Sequence, residues 1–260
     1  MSTRDRTARV AGVDGCRAGW VVAVVAAPSK AAHEPCHRLP VEGLYTSGDF
    51  ADVLLRTSGC ALVCVDIPIG LRRDAQPRAC DVAARRLLGS RASSVFTPPV
   101  RSCLSASSYA EASEIQYRHT GKKLNKQSFF ILDKVRQVDN AITPALQERV
   151  REIHPEVSFS VLNDGRPVRH NKKRLAGRRE RIALLSGIFP DAPEIIQAHR
   201  RSGRVEPDDI LDALVAAWTA ARAHLAGTRT LPEHTECDDR GLRMEILYPS
   251  LPAQSSKRSR

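Results

Sequence analysis

The stretch Val10-Ala11-Gly12-Val13-Asp14-Gly15-Cys16-Arg17-Ala18-Gly19-Trp20-Val21-Val22-Ala23-Val24-Val25 decides the fold class. Its first half alternates: Val10, Gly12 and Asp14 fall on one side of an extended chain, Ala11 and Val13 on the other. After Cys16-Arg17-Ala18-Gly19 the chain resumes as the apolar run 20–27. Two strands joined by a tight turn account for both halves, with Gly15 and Gly19 supplying the turn conformations. A third, weaker strand is expected within residues 36–46. Ser47 or Asp49 is then placed to cap a helix reaching about Thr57. Residues 61–67 form a fully apolar strand ending in Asp66-Ile67-Pro68-Ile69-Gly70, the pattern of a central strand covered on both faces. The order is three strands of an antiparallel meander, a helix and a fourth strand. A right-handed crossover sets that fourth strand beside the first and parallel to it.

Working outward, residues 72–148 read as a mostly helical insertion, with helices expected at 77–88 (ended by Gly89), 105–117 and 127–142. Residues 150–162 return to strand character around His154-Pro155-Glu156. A helix at 178–186 follows, then a last helix from Pro207, a favoured first-turn residue, to about Ala226 before Gly227. A short strand at 242–247 closes the chain. The expected organisation is a single α/β domain over residues 8–248, with flexible basic tails at 1–7 and 249–260.

The 260 residues suffice for a core that needs no disulfide or metal staple. No apolar run approaches the roughly 18 residues of a membrane helix, and the charged opening segment does not read as a signal peptide. Seven cysteines, none in a Cys-x-x-Cys pair, argue against a zinc site or disulfide framework and for a reducing, cytoplasmic setting. The net charge of +11 is concentrated. Residues 166–181 hold eight Lys and Arg against one Glu, and the two termini hold most of the rest. Such a segment binds phosphates through counterion release, or serves as a solubilising surface loop.

The chemistry lies in carboxylates set in apolar surroundings. Asp14 interrupts one apolar strand and Asp66 closes another. If the strands are parallel neighbours, the two carboxylates meet, and their repulsion calls for a divalent cation. Mg²⁺ or Mn²⁺ suits such oxygen ligands; a turn or strand-end role is the simpler alternative. Asp209 and Asp212 share a face of the last helix, as do Asp208 and Asp212. Asp208 and Asp209 also suit the helix start, whereas Asp212 lies a turn further in and precedes a charge-free run to Arg222. Glu156, after a proline that forces His154 to be extended, is expected to enter the strand-like Val157-Ser158-Phe159. His154 suits a general acid/base, a phosphate contact or a hydrogen-bonded structural role.

Five motifs in order then resemble one family. They are 12–21 (GVDGCRAGWV), 65–71 (VDIPIGL), Arg85 to Leu88-Gly89 with Ser93-Ser94-Val95-Phe96, Pro99 and Arg101, then 154–159 (HPEVSF) and 208–213 (DDILDA). Together they resemble the domain of unknown function 429 family, described as predicted nucleases of RNase H-like fold. The last motif also resembles bacterial Holliday-junction resolvases of that fold. The resemblance implies an RNase H-like mixed sheet flanked by helices, and hydrolysis of phosphodiester bonds in DNA or RNA at a two-metal site, with Mg²⁺ or Mn²⁺ roughly 4 Å apart. It implies Asp14 bridging the metals, Asp66 or Glu156 holding one, and Asp212 with Asp209 holding the other or orienting water. Lys134, Arg91, Arg101, His154, Lys172 and Lys173 are the implied phosphate contacts. Gln137 departs from the acid expected before Val138-Asp139. Two other readings remain: a nucleotide-binding phosphotransferase of the actin and sugar-kinase type, which lacks its second glycine-rich loop here, and a noncatalytic nucleic-acid-binding protein.

Overall fold

In a computed structural model of the chain, residues 7–28, 38–200, 203 and 205–250 are described. Most of the two expected tails and Cys36 lie outside them.

The opening stretch forms the predicted hairpin. Strand β1 (Ala8–Cys16) pairs antiparallel with β2 (Gly19–Ala27), and β2 with β3 (Val41–Ser47). Asp49 caps helix α1 (Phe50–Arg56), its side chain accepting from the Ala51 amide. Strand β4 (Leu62–Val65) then lies parallel to β1, and β5 (Val150–Glu152) parallel to β4. The order β3-β2-β1-β4-β5 makes a mixed five-stranded sheet.

The period-2 alternation of β1 sorts two cores. Val10 and Cys16 join one cluster, with Val21, Ala23, Cys64 and the last helix; Ala11 and Val13 join the other, with Trp20, Val22, Val63 and Val65. The second face is covered by α1 and by α5 (Leu132–Ala141). The first is covered by α9 (Pro207–Ala226), backed by α6 (Pro155–Leu162), α7 (Leu175–Ser186) and α8 (Ala192–Arg200). Helix α9 contacts β1, β2 and β4 together, because it presents small residues: Ala213, Ala216, Ala217 and Ala220 are all fully buried. Gly12 completes the fit. A Cβ there would fall on the Ala213 carbonyl oxygen and the Ala217 amide nitrogen.

Between β4 and β5 run α2 (Ala79–Leu88), two 3₁₀ turns, α3 (Tyr109–Thr120) and α4 (Lys126–Phe130), ahead of α5. The expected helix at 105–117 starts instead at Tyr109, capped by Ser108, and the one at 127–142 is broken at Ile131. Buried ion pairs tie this insertion down. Arg78 bonds Asp81, Glu152 and the carbonyls of Ile69 and Gly70. Arg101 bonds Asp139 and Asp238, so this expected phosphate contact is a structural strut.

Two further corrections concern elements. The strand expected over 150–162 ends at Glu152, and Pro155 opens α6, placing Glu156 in a helical first turn. Pro155 carries no N–H and has its φ preset, so it starts a helix readily. Residues Pro155 to Val161 are all buried, which erases the amphipathic signal that would have marked them as helical. Strand β6 (Thr228–Cys237) was not foreseen; it pairs with β7 (Arg243–Pro249), with its register broken around Pro232.

Candidate functional site

The site is built where two parallel strands end. Val13 and Val65 are register partners, and the Asp66 amide donates to the Val13 carbonyl at 2.9 Å. Asp14 and Asp66 therefore occupy the next rung, at the carboxyl ends of neighbouring parallel strands. Each lies two residues beyond a position facing α9: Asp14 after Gly12, Asp66 after Cys64. Alternation turns both carboxylates toward the N-terminal part of that helix. Asp212, one residue before the Ala213 that touches Gly12, meets them from α9.

Asp14 and Asp212 are buried, at 6% and 1% exposure. Burial pushes the Asp14 carboxyl well above the usual range, and the charges of Asp66 and Asp212 push it further, against the pull of Lys172. Burial likewise raises Asp66 to about 8, with Lys172 opposing and Asp212 adding to the rise. Asp212 is raised mainly by burial, again against Lys172. Asp209 is raised to about 6, mainly by burial, but its side chain also accepts from the Glu206 amide in a capping box. It therefore serves the helix start as well as the cluster.

Lys172 is the cation in this cluster. Its Nζ lies 2.5 Å from an Asp212 carboxylate oxygen. Burial works against its ammonium, yet Asp212, Asp14 and Asp66 hold its pKa above the ordinary lysine value. Lys173 pairs with Asp208 at 2.7 Å. The expected phosphate contacts Lys172 and Lys173 are thus seated on acids of α9. Lys134 lies beside the site: the methylenes of its stem crowd the backbone of Gly15.

Glu156 is buried and held at 2.5 Å by the fully buried Arg181, with Arg91 at 3.7 Å. Its Oε2 is buried without a hydrogen-bond partner, an orphaned acceptor whose charge reaches both Asp66 and Asp212. His154 is lowered to about 4, mainly by burial, so it is neutral at pH 7; its Nε2 lies 3.4 Å from the Ser94 carbonyl. Sequence reasoning missed Arg181, which reads as one of eight charges in a basic run although its side chain is fully buried.

The donor set is all oxygen and carries more negative charge than Lys172 offsets, which in type suits a hard divalent cation. The closed arrangement does not: among the described residues no three of His, Cys, Asp and Glu are disposed to hold a metal ion, and the ammonium of Lys172 sits in their midst. A cavity of about 390 Å³ lies elsewhere, in the insertion, lined by Arg72, Gln76, Pro99, Lys122, Lys123 and Asn125.

Gln137 has a structural duty. Its Oε1 accepts from the Trp20 indole N–H at 2.9 Å and the Phe50 amide at 3.1 Å. Gln137→Ala strands two buried donors and is expected to cost about 2–3 kcal/mol in denaturant unfolding. Gln137→Glu keeps the acceptor and is expected to cost about 1 kcal/mol or less.

The raised carboxyls also make stability fall with pH. Between about pH 4 and pH 8 the folded protein keeps protons that the unfolded chain has released. The carboxyls' contribution is therefore greatest at the acid end and is lost as pH rises through the folded values, against the smaller opposite contribution of His154 below about pH 6.5. The metal-free protein is expected to melt several degrees lower at about pH 8 than at about pH 5. A slope of opposite sign in a thermal-melt series would show that the cluster is not under this charge stress.

A mixed α/β domain with a buried carboxylate cluster at the carboxyl ends of two parallel strands is the class these features define. The family described as Protein of unknown function (DUF429) matches residues 12–237, and the chain belongs to it. No curated protein and no solved structure matches the chain. No helix among the described residues is long and apolar enough to cross a membrane.

Proposed function

We propose that the protein is a metal-dependent phosphodiesterase acting on nucleic acid. The observation that carries this reading is the convergence of Asp14, Asp66 and Asp212 from two strand ends and the last helix, with a single ammonium among them. Such crowding costs stability and serves no packing purpose, the usual mark of a site kept for chemistry. Asp14, Asp66 and Asp212 would hold Mg²⁺ or Mn²⁺, which when bound polarises a phosphoryl oxygen and acidifies water.

The chain's own residues supply the remainder. Asp209, raised to about 6 and half-buried, is suited to take a proton near neutral pH. The free Oε2 of Glu156, fixed by Arg181, is a rigid acceptor for a water or a ligand hydroxyl. Lys134 beside Gly15 and Arg91 beside Glu156 offer positive charge at the margin. Arg166, Arg169, Arg174, Arg178 and Arg179 form no ion pair with a described residue. That leaves a positive surface next to the cluster for a polyanion. The antiparallel meander with parallel strands beside it supports this reading, since the RNase H-like resemblance implies a mixed sheet of that kind.

The test is incubation of the full chain with end-labelled single-stranded, duplex and four-way-junction DNA, and with RNA, in Mg²⁺, Mn²⁺ or EDTA. Cleavage of at least one substrate with metal and none with EDTA is expected. Binding without cleavage across all substrates and both metals would replace this reading with noncatalytic nucleic-acid binding.

A further inference from the structure

We infer that the cavity of the insertion is a second ligand site, built for a small phosphate monoester of the nucleoside monophosphate kind. Lys122 and Lys123 neutralise the phosphate, the Gln116 amide donates to the ligand, and proline rings carry its body. The inference is independent of the divalent-cation reading, since no residue lining this cavity belongs to the carboxylate cluster.

The cavity, of about 390 Å³, lies where three segments meet: 72–78 after β4, 97–100 between α2 and α3, and 116–125 from the end of α3 to the start of α4. Pockets for small molecules span about 300–1,000 Å³. Each wall is anchored by a bond that the cavity does not use. The Arg101 amide donates to the Arg72 carbonyl at 2.9 Å, the Ser128 hydroxyl to the Thr97 carbonyl at 2.7 Å, and the Tyr109 hydroxyl to the Leu124 carbonyl at 2.9 Å. Pro77, Pro98 and Pro99 stiffen the backbone further. A ligand therefore meets walls that are already ordered, which favours binding.

The polar groups of the lining are left as donors. Gln116 is only 8% exposed, and its Oε1 accepts from the Val100 amide at 3.0 Å and the Cys103 thiol at 3.3 Å. Two donors on that oxygen fix the orientation of the amide. Its Nε2 has no hydrogen-bond partner among the described residues. A buried amide donor left unmatched by the protein calls for an acceptor from outside. Asn125 repeats the pattern in the exposed part of the lining: its Oδ1 accepts from the Ser128 amide at 2.8 Å, and its Nδ2 is left over. The charges agree. Arg72 is matched by Asp74 and Glu236, and Arg78 by Asp81 and Glu152. Asp74 is the one acid in the lining. Lys122 and Lys123 are exposed and have no ion-pair partner among the described residues, so two positive charges stay uncommitted. A phosphate monoester carries about −1.5 to −2 at pH 7 and offers three acceptor oxygens. The rest of the lining is apolar, with Val100 and Leu124 beside the three prolines. Such a wall suits the face of a planar base and gives a bare phosphate nothing.

Calorimetry on the full chain, in EDTA and at about 0.15 M salt to screen loose surface attraction, tests this. The probes are adenosine 5′-monophosphate, inorganic phosphate, adenosine and succinate. The monophosphate is expected to bind, and the other three each to bind at least about tenfold more weakly. Lys122→Ser combined with Lys123→Ser, both exposed positions, is expected to lower affinity for the monophosphate at least about tenfold. Gln116→Glu, which keeps the acceptor for Val100 and removes the donor, is expected to do the same. In amine acylation of unaltered wild type read by peptide mass spectrometry, the monophosphate is expected to protect Lys122 and Lys123 several-fold while Lys126 and Lys173 stay constant. Absence of monophosphate binding overturns the site. Binding that leaves Lys122 and Lys123 as reactive as before also overturns it and places the ligand on the basic segment 166–181. Inorganic phosphate or succinate binding as tightly as the monophosphate overturns the choice of ligand. The acylation arm needs no variant and EDTA removes any metal, so neither a poorly folding variant nor failure of the nuclease reading bears on the outcome.

Discussion

Asp14→Asn is expected to abolish metal-dependent cleavage and, in the same protein, to raise thermal stability at about pH 8. Asparagine is nearly isosteric and keeps an oxygen where Asp14 accepts from the Gly15 amide at 2.8 Å, so the end of β1 is not disturbed. What disappears is a buried carboxylate whose charge is opposed by Asp66, Asp212 and Asp209 and relieved by Lys172. Without it the neighbours ionise at lower cost, and the folded state is expected to gain about 1–3 kcal/mol at alkaline pH, shrinking toward zero as the pH falls to about 5. On the proposed metal reading this charge is central to the site, so turnover is expected to fall by at least about 10³-fold. The two readouts together discriminate between roles. A purely structural Asp14 predicts loss of stability with loss of function, whereas a residue held under stress for chemistry predicts opposite signs. A variant that is both less stable at about pH 8 and still active would end the case for Asp14 as the centre of the site.

The parts of the site that sequence could show are those fixed by local periodicity. The alternation of 10–14 set Asp14 on the side of Gly12. The apolar run ending at Asp66 called for a central parallel strand. Pro207 and Gly227 bracketed the last helix at the bounds it takes. Glu156 was misplaced on a strand because a helix buried all round has no polar face to betray its period. Helix α8 left no comparable signal, and β6 was hidden by Pro232 and by a largely polar sequence.

Pairing was harder to read than placement. Nothing near Lys172 in the chain points to Asp212, 40 residues away, and a basic run reads the same whether its members face water or acids. Arg101, Arg78 and Arg181 make the same point. All three serve as struts, recognisable only once Asp139, Glu152 and Glu156 have been brought to them. Isolated sequence charges default to the surface, and tertiary structure alone reveals which are paid for by a buried partner.

Gly12→Ala is expected to be strongly damaging for a change of a single methyl. At Gly15 a new Cβ meets the methylenes of Lys134, which can move aside. At Gly12 it meets the backbone of α9 at the Ala213 carbonyl and the Ala217 amide, and neither can yield without moving the helix. Helix α9 also contacts β2, β4, α6 and α7, so its retreat loosens packing across one whole face of the sheet. The expected cost is about 3–5 kcal/mol by denaturant unfolding, and Gly12→Val is expected to give no folded protein. Gly59→Ala, where the added methyl meets nothing within 4 Å, is the control and should stay within about 0.5 kcal/mol. The consequence for function follows from adjacency. Asp212 immediately precedes Ala213, and Asp14 lies two residues beyond Gly12, so the contact that packs the helix also sets the distance between the two acids. Whatever fraction of Gly12→Ala folds should therefore bind Mn²⁺ at least about tenfold more weakly than wild type, as expected for a displaced ligand set. Wild-type affinity in a folded Gly12→Ala protein would show that the metal does not depend on the approach of α9 to β1.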